Sequence, residues 1–194
     1  MDTPPLTILL VDDQSMFLDG IESLLARLPE VQVVAKATNG LDALAKVTLH
    51  KPDLVLMDIN MPHMDGIEAS KHIRKANPAT RVIALSMYGH REFVLELLDS
   101  GVGGYLLKTA GKDELLTAIR TVAQGDQYVA QELRTLANKA VKLILHDRTT
   151  AEIAAELFLS TTTVETHRRN IMHKLDVRNT AGLVKYAMER GWGA

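Results

Sequence analysis

Three aspartates, one serine and one lysine each follow a short apolar run of the chain, and together they could carry out phosphoryl chemistry. They are Asp12, Asp13, Asp58, Ser86 and Lys108. A carboxylate can act as the nucleophile, while a hydroxyl and an ammonium group can hold the oxygens of the transferred group. We favour Asp58 as the nucleophile, because Asp12 and Asp13 are typical of residues that hold a metal ion.

Three carboxylates in one place repel one another unless they are protonated or bridged by a cation. A hard divalent cation prefers oxygen ligands, which makes Mg²⁺ the natural candidate. The alternative is that these residues have no catalytic role and are strand-end acids that face solvent beside a surface lysine. That interpretation explains any one of the five residues more easily than it explains the set.

Five apolar runs would position these side chains, namely residues 6–11, 31–37, 54–57, 82–85 and 105–107. The stretches between them repeat apolar residues at intervals of three and four, which predicts helices with one buried face. Alternating strands and helices predict a doubly wound α/β fold with a five-stranded parallel sheet. The strands of such a sheet end at one edge, where open α/β sheets bind ligands.

The segments ILLVDDQ, LVLMDINMPHMDG, ALSMY and GGYLLK resemble the receiver domain of bacterial two-component response regulators. The resemblance implies a flavodoxin-like domain in which Asp58 accepts a phosphoryl group from a sensor histidine kinase. The Mg²⁺ ligands that it implies are Asp13, Asp58 and the main-chain carbonyl of Asn60, with Asp12 assisting. Ser86 and Lys108 would contact the phosphoryl oxygens.

Tyr105 stands three residues before the lysine and matches the aromatic switch residue of receivers. Phosphorylation adds about −1.5 to −2 charges and three acceptor oxygens, toward which Ser86 and Lys108 should move. By the resemblance, the aromatic ring then fills the space that the hydroxyl vacates and changes the face made by the fourth helix and the fifth strand. Taken alone, Tyr105 would be plain strand packing.

A second pattern begins after residue 149. Residues 150–157 predict a short helix, 158–160 a turn and 161–174 a second helix, which is helix-turn-helix organisation. The inward stripe of the second helix consists of Val164, His167, Ile171 and Leu175, with His167 as a packed structural histidine. The polar face opposite this stripe suits a DNA major groove.

The segment EIAAELFLSTTTVETHRRNIMHKLDV resembles the LuxR-type DNA-binding domain, which makes the whole chain similar to the NarL/FixJ family of response regulators. The positions that this resemblance places at the bases of double-stranded DNA are Glu165, Thr166 and Arg169. Those that suit phosphate contacts are Thr163, Arg168 and Lys174. The alternative for all six is a solvated charged face.

Residues 181–190 predict a last helix, which in the family pairs two subunits. The residues implied in this contact are Ala181, Val184, Lys185 and Met188. A dimer would place two recognition helices one DNA turn apart and so bind a two-fold site more tightly than one subunit. We therefore expect a homodimer in the active state, with RNA polymerase as a candidate partner.

These patterns divide the chain into a receiver at residues 1–124, a linker at 125–141 and a DNA-binding domain at 142–194. LuxR-type domains usually begin with a leucine-threonine pair and a helix rich in arginine and glutamate, but residues 133–145 read LRTLANKAVKLIL. We expect residues to be missing between Asn138 and Lys142, either through a deletion or because the sequence omits disordered residues.

The chain has 194 residues, no cysteine and a net charge of −2, so no disulfide framework is expected. No apolar run is long enough to span a bilayer, and the start MDTPP lacks the pattern of a secretion signal. We therefore expect a cytoplasmic protein without a membrane partner. The first part is acidic and the last mildly basic, which indicates two functions.

Together these features predict a transcription regulator that phosphorylation of Asp58 controls, and not an enzyme beyond slow self-dephosphorylation. A phosphohydrolase of the haloacid dehalogenase type would also use a strand-end aspartate, Mg²⁺ and a lysine. That enzyme needs an acid two residues after the nucleophile, where this chain has Asn60. The irregular segment 133–147 favours another alternative, a receiver-controlled protein-interaction module with an impaired DNA-binding domain. A salt-dependent DNA-binding titration separates this alternative from the regulator.

Overall fold

The computed structural model of the chain describes residues 4–87, 102–131, 143, 148–157, 160–174 and 176–189. These residues fall into two compact units, of which the first comprises 4–87 and 102–130 and the second begins at residue 131. Among the helices within these ranges, none combines the length and the apolar character that a membrane crossing needs.

The first unit is built on a parallel sheet whose strands follow the order β2-β1-β3-β4-β5-β6. The strands are β1 Leu6–Val11, β2 Val31–Ala37, β3 Leu54–Asp58, β4 Arg81–Ser86, β5 Gly104–Leu107 and β6 Tyr128–Val129. The five predicted strands and their parallel arrangement are confirmed. The predicted count of five is wrong, because Tyr128–Val129 adds a sixth strand within the range 125–141 that the sequence assigns to a linker.

Main-chain hydrogen bonds, rather than a side-chain pattern, create this sixth strand. The N–H of Tyr128 donates to the carbonyl of Gly103 at 3.0 Å, and the N–H of Ala130 donates to that of Tyr105 at 3.1 Å. Two residues are too few to show the alternation from which strands are predicted. No sequence pattern therefore marks β6.

Four described helices pack on the sheet, at Ser15–Leu25, Gly40–His50, Gly66–Ala76 and Lys112–Gln124. β3 is buried throughout, as expected for a central strand with helices over both faces. Polar residues set two of the helix starts, since the side chain of Asn39 accepts the N–H of Asp42 and the Asp65 carboxylate accepts the N–H of Ile67. The predicted fourth helix, between β4 and β5, lies outside the described residues.

The strand order reverses at β1, because β2 lies on one side of β1 and the later strands lie on the other. Ligands of open α/β sheets bind at such a reversal, outside the carboxyl ends of the strands. Asp12 follows β1 and Asp58 ends the neighbouring strand β3. The topology thus places two of the candidate residues on either side of this point.

The second unit contains three described helices, Thr150–Leu157, Thr161–Lys174 and Thr180–Glu189, close to the predicted ranges. The first helix starts with a capping box, in which the side chains of Thr149 and Glu152 each accept the main-chain N–H of the other residue. The buried apolar side chains of the described part of this unit are Ile153, Ala154, Val164 and Leu183.

Several predictions about this region concern residues outside the described ranges. The expected break between Asn138 and Lys142 lies outside the described residues, as do the side chains of His167, Ile171 and Leu175. Val164 is the member of the predicted inward stripe whose side chain is described, and it is buried.

Gly66 packs against the main chain of the strand end that carries Asp58. A Cβ atom at residue 66 would lie 2.0 Å from the carbonyl oxygen of Asp58. We expect Gly66→Ala to lower the free energy of unfolding by about 2–3 kcal/mol, because main chain yields less than a flexible side chain. Urea unfolding followed by circular dichroism measures this loss.

Gly20 offers a matched control in the helix Ser15–Leu25, because a Cβ atom there would meet no other atom within 4 Å. Gly20→Ala should raise the free energy of unfolding by about 0.5–1 kcal/mol through better helix propensity. Equal effects of the two substitutions would contradict the steric argument.

Candidate functional site

The strand register brings three of the candidate residues to one edge of the sheet. Asp58 at the end of β3 pairs with Leu85 of β4, and Ser86 pairs with Leu107 of β5, the residue before Lys108. The alignment continues past the strands, because the N–H of Lys108 donates to the carbonyl of Ser86 at 2.7 Å. Asp58, Ser86 and Lys108 therefore lie at the carboxyl ends of adjacent strands.

The ammonium group of Lys108 bridges two carboxylates. Its Nζ atom lies 2.6 Å from Oδ2 of Asp12 and 3.0 Å from Oδ2 of Asp58. The Lys108 side chain is 2% exposed and both aspartate side chains are equally sheltered. Water screens such charges poorly, so each of the three groups depends on the others for compensation.

Burial raises the pKa of the Asp58 carboxyl above its ordinary value. Lys108 opposes this shift, whereas the nearby charge of Asp12 adds to it. The N–H of Asn60, 3.4 Å from Oδ1 of Asp58, also favours the charged form. Because the net pKa shift is upward even with Lys108 in place, the charged form of Asp58 depends on that lysine.

Asp12, Asp13 and Asp58 could hold a metal ion together. One carboxylate oxygen from each lies within 4.8 Å of the others. Asp13 is exposed, so the cluster opens to solvent on its side, while the N–H of Gln14 fixes Oδ1 of Asp12 at 2.9 Å. A donor set made only of oxygens suits a hard cation such as Mg²⁺. The residues present therefore fit such an ion, and the contribution of the Asn60 carbonyl stays a prediction.

Tyr105 lies buried in β5, with its hydroxyl close to that of Ser86. Burial raises the pKa of the Tyr105 hydroxyl, and Ser86 acts in the opposite direction. Within the described ranges the tyrosine hydroxyl forms no regular hydrogen bond. Packing, rather than a polar contact, therefore holds the ring inward.

Phe17 is a neighbour of the site that the sequence reasoning missed. Nζ of Lys108 lies 4.8 Å from the centroid of its ring, inside the cation–π range of about 6 Å. Phe17 sits in the first turn of the helix that follows Asp12 and Asp13, next to the buried Leu18. The sequence does show an aromatic residue next to an apolar one and only a few positions after the acids, and this feature could have marked Phe17 as a neighbour of the site.

The helix Thr161–Lys174 presents part of its predicted DNA-binding set to solvent. Glu165 and Arg169 are exposed, and residues four apart share one face of a helix. This polar edge could enter a major groove. The side chains of Thr163, Thr166 and Lys174 lie outside the described part of the structure.

Arg168 has a different environment from the solvent-facing one that a phosphate contact suggests. It is half-buried, and its guanidinium group donates to the carbonyl of Arg148, which precedes the helix Thr150–Leu157. Arg148 also pairs with Glu152, at 3.3 Å. Arg168 thus links two helices of the unit, and its role as a phosphate contact stays a prediction.

The helix Thr180–Glu189 carries the predicted dimer contacts. Ala181 and Lys185 are exposed and Val184 is half-buried, while the side chain of Met188 lies outside the described set. The exposed positions leave a surface that a second subunit could cover. That role also stays a prediction.

We expect Lys108→Met to lower the free energy of unfolding by about 3–5 kcal/mol in metal-free buffer, because it leaves Asp12 and Asp58 buried without a counter-charge. Urea titrations at neutral pH with a chelator present measure the loss. The double variant Lys108→Met, Asp58→Asn should recover part of it, since one of the two buried charges is then absent.

Lys36 provides the matched control, because it also contacts two carboxylates, those of Asp19 at 2.9 Å and Glu22 at 2.8 Å. Its side chain is 36% exposed, so water can solvate the acids once the lysine is gone. Lys36→Met should therefore have a much smaller effect. A loss as large as that of Lys108→Met would disprove the importance of burial.

Known proteins resemble this chain over both units. The family model for the response regulator receiver domain matches residues 8–120, and that for bacterial regulatory proteins of the luxR family matches 139–187. The transcriptional regulatory protein MctR of Rhizobium johnstonii is 34% identical over 206 residues, which cover 98% of this chain and 96% of MctR. The oxygen regulatory protein NreC of Staphylococcus haemolyticus is 34% identical over 210 residues, covering 94% and 97%. Both alignments exceed 194 positions, so each relative has residues that this chain lacks.

Solved structures of response regulators also resemble this chain. A LuxR-family two-component response regulator from Aurantimonas sp. SI85-9A1 matches with a TM-score of 0.67 and 31% identity, covering 71% of this chain and 99% of that one. RcsB of Salmonella typhimurium shares the fold, with a TM-score of 0.64 and 21% identity over 96% of this chain and 99% of its own. The chain therefore belongs to the NarL/FixJ family of two-component response regulators, and it is a transcriptional regulator made of a receiver domain and a LuxR-type DNA-binding domain.

Proposed function

We propose that this regulator is phosphorylated on Asp58 and that a sensor histidine kinase is the donor. The observation that carries the proposal is the contact of Asp58 with the buried Lys108 where the strand order reverses. A carboxylate oxygen of Asp58 attacks phosphorus, the bond between phosphorus and the donor's histidine nitrogen breaks, and that nitrogen keeps the electron pair. The product is an aspartyl phosphate.

Lys108 and Ser86 would hold the new phosphoryl group. Phosphorylation adds about −1.5 to −2 charges beside an ammonium group that is already shielded from water. The charge draws Lys108 toward the phosphoryl oxygens, and the hydroxyl of Ser86 donates to one of them. The ring of Tyr105, which packing holds beside Ser86, fills the space that the hydroxyl leaves. This movement is the proposed switch.

Asp12, Asp13, Asp58 and the carbonyl of Asn60 would hold Mg²⁺, which when bound offsets negative charge on the phosphoryl oxygens. The support for this ligand set is the close approach of the three carboxylates and the exposure of Asp13. Lys108 would move away from Asp12 when a divalent cation occupies the site, because the ammonium group and the cation would compete for the same carboxylate.

The site is not suited to rapid turnover. Asn60 stands two residues after Asp58, where a phosphohydrolase would carry an acid. An amide cannot supply or remove a proton in the hydrolysis of the aspartyl phosphate. We therefore expect only slow self-dephosphorylation, which suits a signal that must persist while genes are read.

Double-stranded DNA is the proposed target of the second unit. Glu165, Thr166 and Arg169 would read bases, and the phosphate contacts would come from Thr163, Arg168 and Lys174. The exposure of Glu165 and Arg169 supports this assignment. Such a regulator would act in the cytoplasm, where the bacterial chromosome lies, and RNA polymerase is the partner that its output implies.

Phosphorylation would control this binding by promoting a homodimer. The last helix would form the contact through Ala181, Val184, Lys185 and Met188. Solved structures of RcsB include two dimers bound to two parallel DNAs, which offers a precedent for the arrangement. Paired recognition helices would then reach two half-sites together.

A protein-interaction module is the second candidate function, because two observations favour it. The relatives carry residues that this chain lacks, and Arg168 donates to a main-chain carbonyl of its own unit. A DNA-binding domain that had lost part of its structure would keep the receiver switch and use another partner.

Acetyl phosphate with Mg²⁺ should phosphorylate the protein and strengthen its binding to genomic DNA fragments selected by affinity. Asp58→Ala should abolish phosphorylation and the donor-dependent gain in binding, whereas Asp126→Ala, which removes an exposed acid outside the cluster, should keep both. Intact-protein mass spectrometry and a DNA titration at fixed salt measure the two effects. Addition of EDTA should prevent phosphorylation of the parent protein.

Several outcomes would contradict the proposal. Labelling that survives in Asp58→Ala places the phosphoryl group elsewhere. Equal DNA affinity with and without the donor removes the coupling, and the absence of DNA binding in every condition favours the interaction module.

Arg169→Ala should weaken DNA binding by about 1–3 kcal/mol and relax base preference at one position of each half-site. Lys75→Ala, which removes an exposed charge from the receiver unit, should leave the affinity unchanged. Fluorescence anisotropy with a selected fragment and its single-base variants measures both properties. A uniform loss across all fragments would reassign Arg169 to a phosphate contact.

A further inference from the structure

We propose that Phe17 is a positioning residue for the phosphorylation of Asp58 and acts through Lys108. The inference rests on the proposed function, because it concerns the same reaction. Phe17 belongs to the helix Ser15–Leu25, whereas Lys108 follows β5, so no local sequence pattern connects the two. Their contact is a property of the folded receiver.

Among the described residues, the ammonium group of Lys108 has three partners, of which the Phe17 ring is the uncharged one. Nζ lies 2.6 Å from Asp12, 3.0 Å from Asp58 and 4.8 Å from the ring centroid. The ring is half-buried, and the cavity it lines with Asp12 and Leu56 has a volume of only about 10 Å³. That volume is at the lower limit for one water molecule, so the ring has little room to sink inward.

An aromatic face is well suited to a lysine that must change partners. An ammonium group has three N–H donors, and a ring attracts its charge without accepting one of them through a directed bond. The contacts with Asp12 and Asp58 are ion pairs, and within the described residues Nζ forms no regular hydrogen bond, so an N–H donor remains for a phosphoryl oxygen. The ring therefore keeps the ammonium group in the pocket while allowing it to move from the carboxylate of Asp12 toward the incoming group.

Phe17→Leu removes the ring and keeps an apolar side chain, and Phe17→Tyr keeps the ring. With acetyl phosphate and Mg²⁺, the full-length Leu variant should reach a maximal phosphorylation rate about fivefold below that of the parent, as a weakly screened cation–π contact implies. The Tyr variant should stay within about twofold of the parent, because its ring face still attracts the cation. The donor concentration at half-maximal rate should stay the same in all three proteins, because Phe17 does not touch the donor.

A second readout needs neither metal nor donor. The ε-methylene protons of Lys108 should show an upfield ring-current shift in the NMR spectrum of the metal-free parent and of Phe17→Tyr, and should lose that shift in Phe17→Leu. Combining Phe17→Leu with Lys108→Met should slow phosphorylation no further than Lys108→Met alone. If Phe17 had a purely structural role, Phe17→Leu would instead slow phosphorylation further in the Lys108→Met protein.

Parent-like phosphorylation of Phe17→Leu, with labelling still dependent on Asp58, would overturn the role of Phe17 and leave the proposed function intact. A slow Tyr variant, or a slow Leu variant that retains the ring-current shift, would also overturn it. If the parent protein is not labelled at all, both the proposed function and this inference are wrong.

Discussion

The receiver depends on one buried positive charge between two buried negative ones. The ammonium group of Lys108 lies within ion-pair distance of both Asp12 and Asp58, and it offsets the repulsion between these two carboxylates at the edge of the sheet. The strand order of the sheet brings these three residues together. β1 and β3 must be neighbours to bring the aspartates together, and β4 and β5 must follow in order for the lysine to reach them.

The same contact would explain how the proposed phosphorylation of Asp58, a small modification, changes the whole domain. Two carboxylates and one ammonium group form a compensated set that any added charge disturbs. A phosphoryl group on Asp58 would bring about −1.5 to −2 charges into the set, and the side chains around it would then change partners. Because Ser86 and Tyr105 lie beside the set in adjacent strands, the proposed local change would extend from Asp58 to β5.

The sequence predicted most closely the strands that are buried along their length and the functional residues that stand at their ends. Parallel strands covered on both faces are continuous apolar runs, so their ends, and the acids that follow them, could be predicted closely. Hydrogen bonds and contacts between distant elements could not. β6 exists because its main chain bonds to β5, the ring of Phe17 reaches Lys108 across the fold, and Arg168 donates to the carbonyl of Arg148. Each of these contacts depends on the direction in which a side chain or a main-chain group points in the folded protein. The spacing of residues along a helix or strand does not specify that direction.

The short strand β6 has a consequence for how receivers can be recombined with other output domains. Its hydrogen bonds to β5 end at Ala130, six residues beyond the last helix of the sheet. A chimera joined after Gln124 would remove those bonds and leave part of the outer edge of β5 unpaired, and bare sheet edges invite association with other chains. A junction placed after Ala130 keeps the edge covered. The boundary of an exchangeable receiver is therefore the last hydrogen bond of the sheet, and not the end of the last helix.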